Sequence, residues 1–487
     1  MLHKSEDRRR NHRDNSLKRT LNTIYTMKSK ISRRNFLAAS GALAGGALIN
    51  PVETLQAAPE SSISSAKKAE KMRVALVGTG IRGVNMWGRD LVKRYSEQMT
   101  FVGLCDINPG RLQTGKEIIG VDCPTYTDFE KMMKEIKPEL LIVCSVDSAH
   151  HEHIVKGMEM GANVLTEKPM TIDEQKIQAI LDAEERTGKN CRVTFNYRYS
   201  PHRVKMWEML HSGEIGELTS VDFHWYLDTS HGTDYFRRWH RLVEKGGSLW
   251  LHKASHHFDL LNWWIDSDPE TVYALGDLTF YGKNGPFRAE NCRNCSHTKN
   301  CDFFWDITKN ETLVKLYTDN EKYDGYFRDG CVYRNDINIF DRMAATIKYK
   351  NGVQVAYSLT TYSPYEGYRI AFNGTKGRID AWIEEVKPMR DVDYDEIVLF
   401  KNFSRRQYIQ IPHGTSGHGG GDALLQDQLF LPDIPDPKKQ CAGSRDGALA
   451  CLVGIAARKS IAAKAPVNIA DLTTITPQEK KEYKRVL

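Results

Sequence analysis

The sequence predicts an α/β protein with an N-terminal doubly wound parallel sheet and a C-terminal α+β half that has a large, mostly antiparallel open sheet. A short β-branched strand, Met72 to Val77, leads directly into a glycine-rich turn. Strand-like and helical stretches then alternate up to residue 195, which is typical of a parallel sheet with crossover helices. From about residue 196 the strands are longer and alternate between apolar and polar residues, which indicates an antiparallel sheet.

Length and composition agree with two domains that follow a leader. The 487 residues are 40% apolar and 10% aromatic, so the chain can bury a large core and is neither fibrous nor disordered. The net charge of +6 lies in the leader, because residues 1–58 hold 11 Lys and Arg against 4 Asp and Glu, a surplus of 7 that leaves −1 for the rest. A nucleic acid partner is therefore not expected for the body of the protein.

The leader has the pattern of an export signal. Arg33 and Arg34 precede an apolar run rich in Ala and Gly, which ends near small residues at Ala58. This resembles a twin-arginine signal, which implies export by the Tat translocase, removal of residues 1–58 and a short linker at 59–71. We expect a periplasmic or otherwise exported protein without a stable membrane anchor, because no further apolar run is long enough to span a bilayer.

The first domain, predicted for residues 72–195, follows the order of a dinucleotide-binding (Rossmann) domain. The stretch "TFVGLCD" predicts a second strand that ends at Asp106, and "PELLIVCS" predicts a third that ends near Ser145. Helical stretches separate these strands, so that successive strands lie parallel in one sheet. The carboxyl ends of the strands are then the expected place for a ligand.

The glycine-rich turn predicts the ligand. Gly78, Gly80 and Gly83 form G-x-G-x-x-G between a strand and a helix, where glycine permits a tight turn and a close approach of pyrophosphate to the helix N-terminus. Asp106 lies 23 residues after Gly83, where a carboxylate accepts hydrogen bonds from an adenosine ribose and repels a 2′-phosphate. NAD is therefore expected rather than NADP. The predicted cofactor-binding residues here are Gly78, Gly80, Ile81, Arg82, Gly83 and Asp106.

The second domain is predicted for residues 196–475, with a tail at 476–487. Its alternating strands include "TSVDFHWYLD", "TVYALGDLTFYG", "YRIAFNGTKGRIDAWI" and "EIVLFKNF". A hairpin signal, Lys350-Asn351-Gly352, lies within "MAATIKYKNGVQVAYSLTTYS". A cysteine-rich insertion, residues 286–335, interrupts the domain.

Motifs along the chain resemble one family of oxidoreductases. The first is "GANVLTEKPMTID", in which a strand is followed by Glu167-Lys168-Pro169 and a helix start. Others are "SVDSAHHEHIVKGMEMGANV", "FNYRYSPHRVKMWEMLHSGEIGEL", "GGSLWLHKASHHFDLLNWW", "GHGGGD" and "DGALACLVGIAARKS". Over residues 72–475 the sequence is similar to the glucose-fructose oxidoreductase, inositol dehydrogenase and rhizopine-catabolism (Gfo/Idh/MocA) family.

The resemblance implies roles for residues near the cofactor. In the family the lysine of Glu-Lys-Pro lies beside the nicotinamide and contacts the hydroxyl that is oxidised, which makes Lys168 both a catalytic and a cofactor-side residue. Ser145, His150 and Glu167 lie in the matching cofactor-side segments. For His150, a role as a hydrogen-bonding loop residue stays open beside direct cofactor contact.

The stretch Trp250 to Trp264 is expected to be an apolar helix that carries the proton chemistry. The family commonly has Asp-x-Gly-x-His here, and the resemblance places His252 at the aspartate and His256 at the catalytic acid/base histidine. An imidazole at position 252 removes the carboxylate partner of His256, so the resemblance implies a rearranged proton relay, with Lys168, His256 and His252 as catalytic residues. Lys253 is an expected substrate contact, whereas for His257 and Asp259 core packing is an equal alternative.

A catalytic metal is a further interpretation of the same stretch. His252 and His256 have the i, i+4 spacing of two zinc ligands, but the glutamate of H-E-x-x-H is absent and Lys253 would repel a cation. Hydride transfer by a nicotinamide needs no metal, so an acid/base role is favoured.

Two polar stretches are candidates for the substrate pocket. "YLDTSHGTDYFRRWHR" mixes hydrogen-bonding side chains with aromatic rings, which suits a carbohydrate, although an irregular loop over the sheet would have the same composition. "HGTSGHGGGD", with His413, His418 and Asp422, is a candidate lid. The predicted substrate contacts are Tyr226, Asp228, Arg237, Arg238, Trp239 and Lys253.

The cysteines fall into two groups. Cys105, Cys144 and Cys191 lie in or next to apolar strands and are expected in the core. In the insertion, Cys292-x-x-Cys295 is followed by two further cysteines, Cys301 and Cys331, which is the spacing of a structural zinc site. Disulfides are the alternative for an exported protein.

The sequence therefore favours an NAD-dependent dehydrogenase acting on a secondary hydroxyl of a sugar, glycoside or polyol. Outside the cytoplasm there is no free NAD pool, so the cofactor would have to be held tightly. The alternative is a redox-assisted glycosidase, similar to exported α-N-acetylgalactosaminidases of the family, which oxidises transiently, eliminates the aglycone and adds water. A sugar-binding protein that keeps NAD only as a structural part is a third possibility. The resemblance also implies a homodimer or homotetramer.

Overall fold

The computed structural model describes residues 70–386, 388–414 and 417–481, all of which belong to one compact unit. The predicted leader and most of the linker lie outside the described residues, so the export signal stays a prediction. Within the described part of the chain, no helix combines the length and the apolarity that a membrane span requires.

Six parallel strands form the first sheet. They are β1 Met72–Val77, β2 Met99–Cys105, β3 Thr125–Tyr126, β4 Leu140–Val143, β5 Asn163–Thr166 and β6 Cys191–Val193. Their order is β3-β2-β1-β4-β5-β6, and every neighbouring pair is parallel. This confirms the doubly wound sheet. The strand order reverses between β1 and β4, and a crevice for a ligand forms at such a point.

Helices cover both faces of this sheet. They are α1 Ile81–Val84, α2 Asp90–Tyr95, α3 Pro109–Ile119, α4 Phe129–Ile136, α5 His150–Glu159 and α6 Glu174–Thr187. A π-helical turn, Asn85–Arg89, joins α1 to α2. Asn108, Asp128 and Asp173 cap α3, α4 and α6, because each side chain accepts a hydrogen bond from a free backbone N–H of the first turn.

Gly78 shows why the first turn needs glycine. Its φ is +95°, a conformation that side chains oppose, and a Cβ built there would lie 2.4 Å from the carbonyl oxygen of Cys144. The backbone therefore packs directly against the end of β4. This contact places the start of α1 at the carboxyl edge of the sheet.

Nine strands form the second sheet. They are β7 Leu218–Asp228, β8 Pro269–Asp277, β9 Arg342–Tyr349, β10 Gln354–Ser363, β11 Glu366–Gly374, β12 Gly377–Val386, β13 Tyr394–Lys401, β14 Gln407–Pro412 and β15 Val467–Asn468. The order is β14-β13-β12-β11-β7-β10-β9-β8-β15. Its neighbouring pairs are antiparallel except β7 with β10, which confirms the mostly antiparallel sheet.

The helices of this half pack on one face of the sheet or lie in its connections. They are α7 Pro201–His211, α8 Thr229–Arg237, α9 Val243–Gly246, α10 Leu249–His252, α11 Ala254–Ile265, α12 Glu311–Leu316, α13 Glu321–Asp324, α14 Gly421–Phe430 and α15 Ser444–Ala463. The prediction of a single helix for Trp250 to Trp264 is wrong in one respect. It is divided at Lys253, whose buried side chain meets Glu366.

Strand β7 shows how alternation sets the two faces of the sheet. Every second residue from Val221 to Leu227 is buried, and the residues between them are partly exposed. The Phe223 ring meets the edges of His257 and Trp264 in α11. The buried face is therefore the one that faces the helices and, beyond them, the first sheet.

The cysteine-rich insertion packs on the nucleotide side of the molecule. Ile307, Leu313, Leu316 and Tyr317 are buried in the same apolar cluster as Leu112 of α3. The Leu316 side chain is fully buried there. The insertion is therefore part of the core of the first half, although it belongs to the second half in sequence.

We expect Leu316→Ala to lower the free energy of unfolding by about 2–5 kcal/mol, because it opens a cavity in this cluster. Leu424→Ala, at a leucine that is 47% exposed, is the matched control and should change it by less than about 0.5 kcal/mol. Urea unfolding of both variants measures the difference. Equal stability of the two variants would show that the insertion does not pack as described.

Candidate active site

Lys168 lies at the carboxyl edge of the parallel sheet, two residues after the end of β5. Its Nζ donates a hydrogen bond to the carbonyl oxygen of His252, at 2.9 Å, where α10 ends. The amine therefore lies between the two halves of the molecule. The first turn of α1 begins at the same edge of the sheet.

The environment of Lys168 favours its neutral form. Burial lowers the pKa of the amine to about 8, against the opposing effect of the carboxylates of Glu167 and Asp147. Lys253 and Arg82, both cationic, lower it further. A lysine with a pKa of about 8 can both release and accept a proton near neutral pH.

Asp147 is a member of the site that sequence reasoning missed. It is buried in a turn after β4, and its Oδ2 lies 2.6 Å from Nδ1 of His252, across 105 residues of sequence. Burial raises the pKa of Asp147 and lowers that of His252. Both shifts favour a neutral pair that shares one proton. The nucleotide-side half thus supplies a carboxyl partner for His252, whereas His256 stays without one at Nδ1 among the described residues.

His256 has a different environment. Its ring stacks on Tyr197 at a centroid distance of 4.2 Å, and its Nδ1 has no hydrogen-bond partner among the described residues. Burial, followed by the charges of Lys168 and Lys253, moves its pKa well below the usual value. The imidazole is therefore neutral near pH 7, with a buried nitrogen available to a ligand.

Lys253 belongs to a charged network under the site. Its Nζ donates to the hydroxyl of Tyr197 at 3.0 Å and to Glu366 at 3.3 Å. His231 lies 2.7 Å from the same carboxylate, and its other nitrogen lies 2.8 Å from the Tyr235 hydroxyl. Burial opposes the charge of Lys253, but Glu366, Tyr235 and Glu385 together outweigh burial and raise the pKa. Lys253 therefore stays charged and paired.

The wall next to His252 has buried polar atoms that no described residue satisfies. Both ring nitrogens of His240 and Nε of Arg238 lack partners among the described residues. The His240 ring lies 3.9 Å from that of His252, and the Trp239 ring stacks on it at 3.6 Å. Unsatisfied buried donors and acceptors next to an indole suit a ligand that carries several hydroxyls.

Arg82 and Glu167 bind each other. Nε of Arg82 donates to Glu167 at 2.7 Å, and the indole of Trp87 donates to the same carboxylate oxygen at 2.6 Å. Arg82 also pairs with Asp422 at 3.3 Å, and His418 pairs with Asp422 at 3.0 Å. The predicted lid is thus tied to the glycine-rich turn. Of that stretch, residues 415–416 lie outside the described residues, and His413 pairs with Asp395 instead.

His150 and Ser145 support the loop after β4. Nδ1 of His150 lies 2.9 Å from the carbonyl oxygen of Pro169, and Nε2 lies 3.1 Å from that of Ser145. Burial lowers the pKa of His150. Its ring is engaged with backbone on both sides, which favours the role of a loop residue over direct cofactor contact. Ser145 Oγ lies 3.1 Å from Nδ1 of His153.

Asp106 lies where the turn and the end of β2 meet. It accepts hydrogen bonds from the backbone N–H of Thr79 at 2.8 Å and of Asn108 at 2.9 Å. Arg111 donates to both of its oxygens, at 2.8 and 3.2 Å. The carboxylate is therefore fixed in place by the glycine-rich turn and by α3.

The turn fits a dinucleotide. The N-cap of α1 is Gly80, with no side-chain cap, and a Cβ built on Gly80 would meet only the Tyr317 hydroxyl, at 3.2 Å. This leaves a cradle that a side chain would fill, next to the backbone N–H groups of a helix start and near Asp106. Gly78, Gly80, Ile81 and Asp106 are the residues that would hold the dinucleotide.

Three predicted substrate residues lie away from this cleft. Tyr226 alternates with buried Trp225, so it lies on the other face of β7. Asp228 is the N-cap of α8 and accepts from the backbone N–H of Ser230 and His231. Arg237 donates to Sγ of Cys292 at 3.1 Å and to Gly330 and Phe303 carbonyls, so it holds the insertion. Arg238, Trp239 and Lys253 do lie at the cleft.

His257 and Asp259 are core residues. Nδ1 of His257 lies 2.8 Å from the Tyr357 hydroxyl, and its ring stacks on Trp225. Asp259 is buried and accepts from Arg198 at 2.8 Å. Both residues therefore have the core-packing role that was the alternative to a role in the site. His252 and His256 lie in different helices, and no described group of three or more His, Cys, Asp or Glu is arranged to hold a metal.

The four insertion cysteines line one small pocket, with a volume of about 10 Å³. Backbone N–H groups of His297 and Tyr333 donate to Sγ of Cys295 and Cys331, at 3.3 and 3.4 Å. All ten cysteines are free thiols, so the disulfide alternative is not observed. The described sulfurs are not arranged around a metal either, and a zinc ion at Cys292, Cys295, Cys301 and Cys331 stays a prediction from their spacing.

Comparison with known families covers both halves of the chain. A family model described as "Oxidoreductase family, NAD-binding Rossmann fold" matches residues 72–195. A second, described as "Oxidoreductase family, C-terminal alpha/beta domain", matches residues 207–469. Together the matched residues are well over half of the chain.

Individual proteins agree with these matches. YteT of Bacillus subtilis (strain 168) is 35% identical over 424 residues, 82% of this chain and 98% of YteT. Glycosyl hydrolase family 109 protein 1 of Akkermansia muciniphila is 30% identical over 229 residues, 39% of this chain and 47% of that protein. The solved structure of levoglucosan dehydrogenase with NADH and levoglucosan has a TM-score of 0.60 at 16% identity, covering 82% of this chain and 100% of that chain, which is a likeness of fold.

We expect Lys168 to react with small amine reagents at a lower pH than other lysines, because its pKa is lowered to about 8 against an ordinary value of about 10.4. Reductive methylation at a series of pH values, followed by peptide mass spectrometry, gives a rate for each lysine. The exposed Lys309 is the internal reference. A Lys168 rate that rises in parallel with that of Lys309 would contradict the lowered pKa.

Proposed function

The chain belongs to the Gfo/Idh/MocA oxidoreductase family, and from this premise we propose that it transfers a hydride from a secondary hydroxyl of a sugar, glycoside or polyol to a tightly held NAD. The observation that supports this most is the convergence of Lys168, Asp147 and His252 beside the glycine-rich turn. NAD is favoured over NADP because the Asp106 carboxylate lies at the turn.

Lys168 is the group that handles the hydroxyl proton. When bound, the nicotinamide supplies the acceptor for the hydride. The neutral amine of Lys168 takes the proton from the hydroxyl, since its lowered pKa leaves a large neutral fraction near pH 8. A cationic cofactor ring nearby would favour the neutral amine further.

The other groups of the cleft that can hold or accept a proton are the Asp147–His252 pair and the neutral His256. Asp147 fixes the His252 imidazole at Nδ1, and the backbone carbonyl of His252 fixes Nζ of Lys168. His252 therefore links the Asp147 carboxyl to the Lys168 amine. His256, whose buried Nδ1 has no partner in the described part of the chain, can hold a substrate hydroxyl or accept its proton. Both imidazoles are neutral near pH 7, as an acceptor must be.

The polar atoms of the cleft support a polyhydroxylated substrate. His240, Arg238 and His256 present buried nitrogens without partners among the described residues, and hydroxyl groups of a sugar can pair with all of them. The ring of Trp239 adds an apolar surface of the kind that packs on the face of a sugar.

We also propose that the mature protein works outside the cytoplasm. The twin arginine of the leader supports this. An exported enzyme has no NAD pool to draw on, so its cofactor must enter before export and be reduced and reoxidised in place.

A redox-assisted glycosidase is the second candidate. It is supported by the partial similarity to Glycosyl hydrolase family 109 protein 1. It is also supported by a second pair of side chains in the cleft that can accept a proton, Asp147 with His252. Oxidation of a sugar hydroxyl to a ketone makes the C–H on the adjacent carbon acidic. When that carbon is also next to the anomeric carbon, a base can remove its proton. The aglycone leaves, water adds, and the hydride returns to the same carbon.

The experiment that separates these functions is a panel of sugars and glycosides, followed at 340 nm with products identified by mass spectrometry. A lasting absorbance rise and a product two mass units lighter support the dehydrogenase, whereas aglycone release with a transient rise supports the glycosidase. Either rate should increase with pH and level off above about 8. Lys168→Met should lose roughly 10²–10⁴-fold in rate. Full activity of this variant would overturn the proposed role of Lys168, and a wild-type protein that gives neither product would overturn both functions.

We expect Asp147→Asn to lower kcat roughly 10–100-fold while KM changes little, because His252 loses the partner that holds its shared proton but the cleft keeps its shape. The pH profile of kcat should shift as well, which a purely structural effect would not produce. Asp259→Asn changes a buried carboxylate outside the cleft and is the comparison variant. The proposed role of Asp147 fails if its variant keeps the wild-type profile.

A further inference from the structure

The insertion contacts the predicted dinucleotide site with a run of polar groups. The hydroxyl of Tyr317 accepts a hydrogen bond from the backbone N–H of Ile81 at 2.9 Å, across 236 residues of sequence. That N–H belongs to the first turn of α1, which would face the pyrophosphate. The hydroxyl also lies 3.2 Å from the Cβ position of Gly80. The insertion therefore reaches the centre of the glycine-rich turn.

A second set of contacts lies on the adenosine side, where β2 leads into α3. The side-chain amide of Asn108 donates to the carbonyl oxygen of Asn320 at 3.0 Å, and Arg111 donates to Asp324 at 2.9 Å. Arg111 also binds Asp106. The insertion is therefore linked, through one arginine, to the carboxylate predicted to hold the ribose.

Gly110 shows how closely the two segments approach. A Cβ built on this glycine would overlap the side chain of Asn320, with Cγ at 2.7 Å, and would lie 2.7 Å from the ring of Tyr323. A side chain at position 110 would push the insertion away from α3. The absence of a side chain there lets the two segments close on each other.

We propose that residues 311–328, here called the strap, form the outer wall of the dinucleotide site and hold the nicotinamide cofactor so that it does not exchange between turnovers. This inference rests on the proposed function, since it concerns the same cofactor. The Tyr317 hydroxyl accepts from the N–H of Ile81 and still has its own proton, which it can donate to the pyrophosphate of a bound cofactor. Entry and departure of the cofactor both require the strap to lift.

Lifting the strap is slow for a structural reason. Leu316 is fully buried and Leu313 and Tyr317 nearly so, in a cluster shared with Leu112 of α3. Opening would expose these side chains to water as well as break the polar contacts. Segments that open readily have few buried apolar contacts, and the strap has several.

The other end of the strap is anchored to the substrate-side half. Arg328 donates to Asp234 of α8 at 2.7 Å, and Arg293 pairs with both Glu321 and Asp329. Arg237 of α8 donates to the carbonyl oxygen of Gly330, just beyond the strap. The strap thus spans from the substrate cleft to α3, and a cofactor lying along the carboxyl edge of the first sheet would be beneath it.

The test measures cofactor exchange rather than turnover. The purified protein is loaded with NADH, mixed with a large excess of NAD, and the loss of protein-bound NADH fluorescence is followed. Nucleotide that survives gel filtration is measured after denaturation. Tyr317→Phe removes the hydroxyl and keeps the ring, and we expect NADH to dissociate at least about tenfold faster. Tyr408→Phe removes the hydroxyl of a tyrosine that is 58% exposed on β14, and should leave the rate unchanged.

A second variant acts in the opposite direction. In the double variant Gly110→Cys with Asn320→Cys, a cysteine replaces the Asn320 amide that a Cβ at position 110 would overlap, and a disulfide between the two cysteines would join α3 to the strap. We expect the oxidised form to retain NADH at least about tenfold longer than the reduced form. The wild-type protein with and without reductant controls for the native cysteines.

The outcomes separate the two proposals. Faster dissociation in Tyr317→Phe together with redox-dependent retention in the double cysteine variant supports the strap. Nucleotide binding with the same exchange rate in all variants overturns the strap and leaves the proposed function standing. A wild-type protein that binds neither NADH nor NAD overturns both.

Discussion

The placing of a lysine amine in a poorly hydrated cleft is the constraint on which the rest of the site depends. A cation away from water is stable only if partners compensate it or if it gives up its proton. Around Lys168 the structure supplies Glu167 and Asp147, and it neutralises Glu167 in turn with Arg82. These partners all belong to the first half, whereas the carbonyl oxygen of His252, to which the amine donates, belongs to the second, so the complete site needs both halves.

The need to compensate buried charges also explains how the layer between the two sheets is built. The parallel sheet ends in polar groups at its carboxyl edge, and the helices α10 and α11 bring His252 and His256 to meet them. The charged and polar groups of this layer are paired in chains that run from buried to exposed side chains, as in Lys253–Glu366–His231 or Arg82–Asp422–His418. Removal of one member would leave its partner uncompensated, which costs more than the pair contributes.

Much of the fold could be predicted from local sequence patterns. The glycine-rich turn between a strand and a helix, and the period-2 alternation after residue 196, both depend on neighbouring residues, and both were confirmed. The same alternation could also have placed Tyr226 on the face opposite Trp225, and the Asp-Thr-Ser start of α8 could have marked Asp228 as a cap. The division at Lys253 had no local signal, and the carboxylate that Lys253 meets there lies 113 residues further along the chain, at Glu366.

The site was predictable only where a motif carries it. Lys168, His252 and His256 were found in this way. Tyr317 and Asn320 were not, because each contacts the nucleotide side across more than two hundred residues and its own neighbours in sequence give no sign of it. Asp147 lies in a motif, between Ser145 and His150, but its contact with His252 spans 105 residues. In the insertion, the cysteine spacing predicted a metal site, whereas the residues between Cys301 and Cys331 make the contacts with the nucleotide side.

The apolar cluster of the nucleotide side has a consequence for how the chain becomes folded. Strands β1 to β6 are complete once Val193 has been synthesised, but their cluster also takes Leu316 from the insertion and Phe430 from α14. The emerging first half therefore presents an unfinished apolar surface to the cell while more than two hundred residues are still to be made. Its final packing cannot be completed before Phe430 has been made, so this apolar surface stays open to non-native contacts through much of translation.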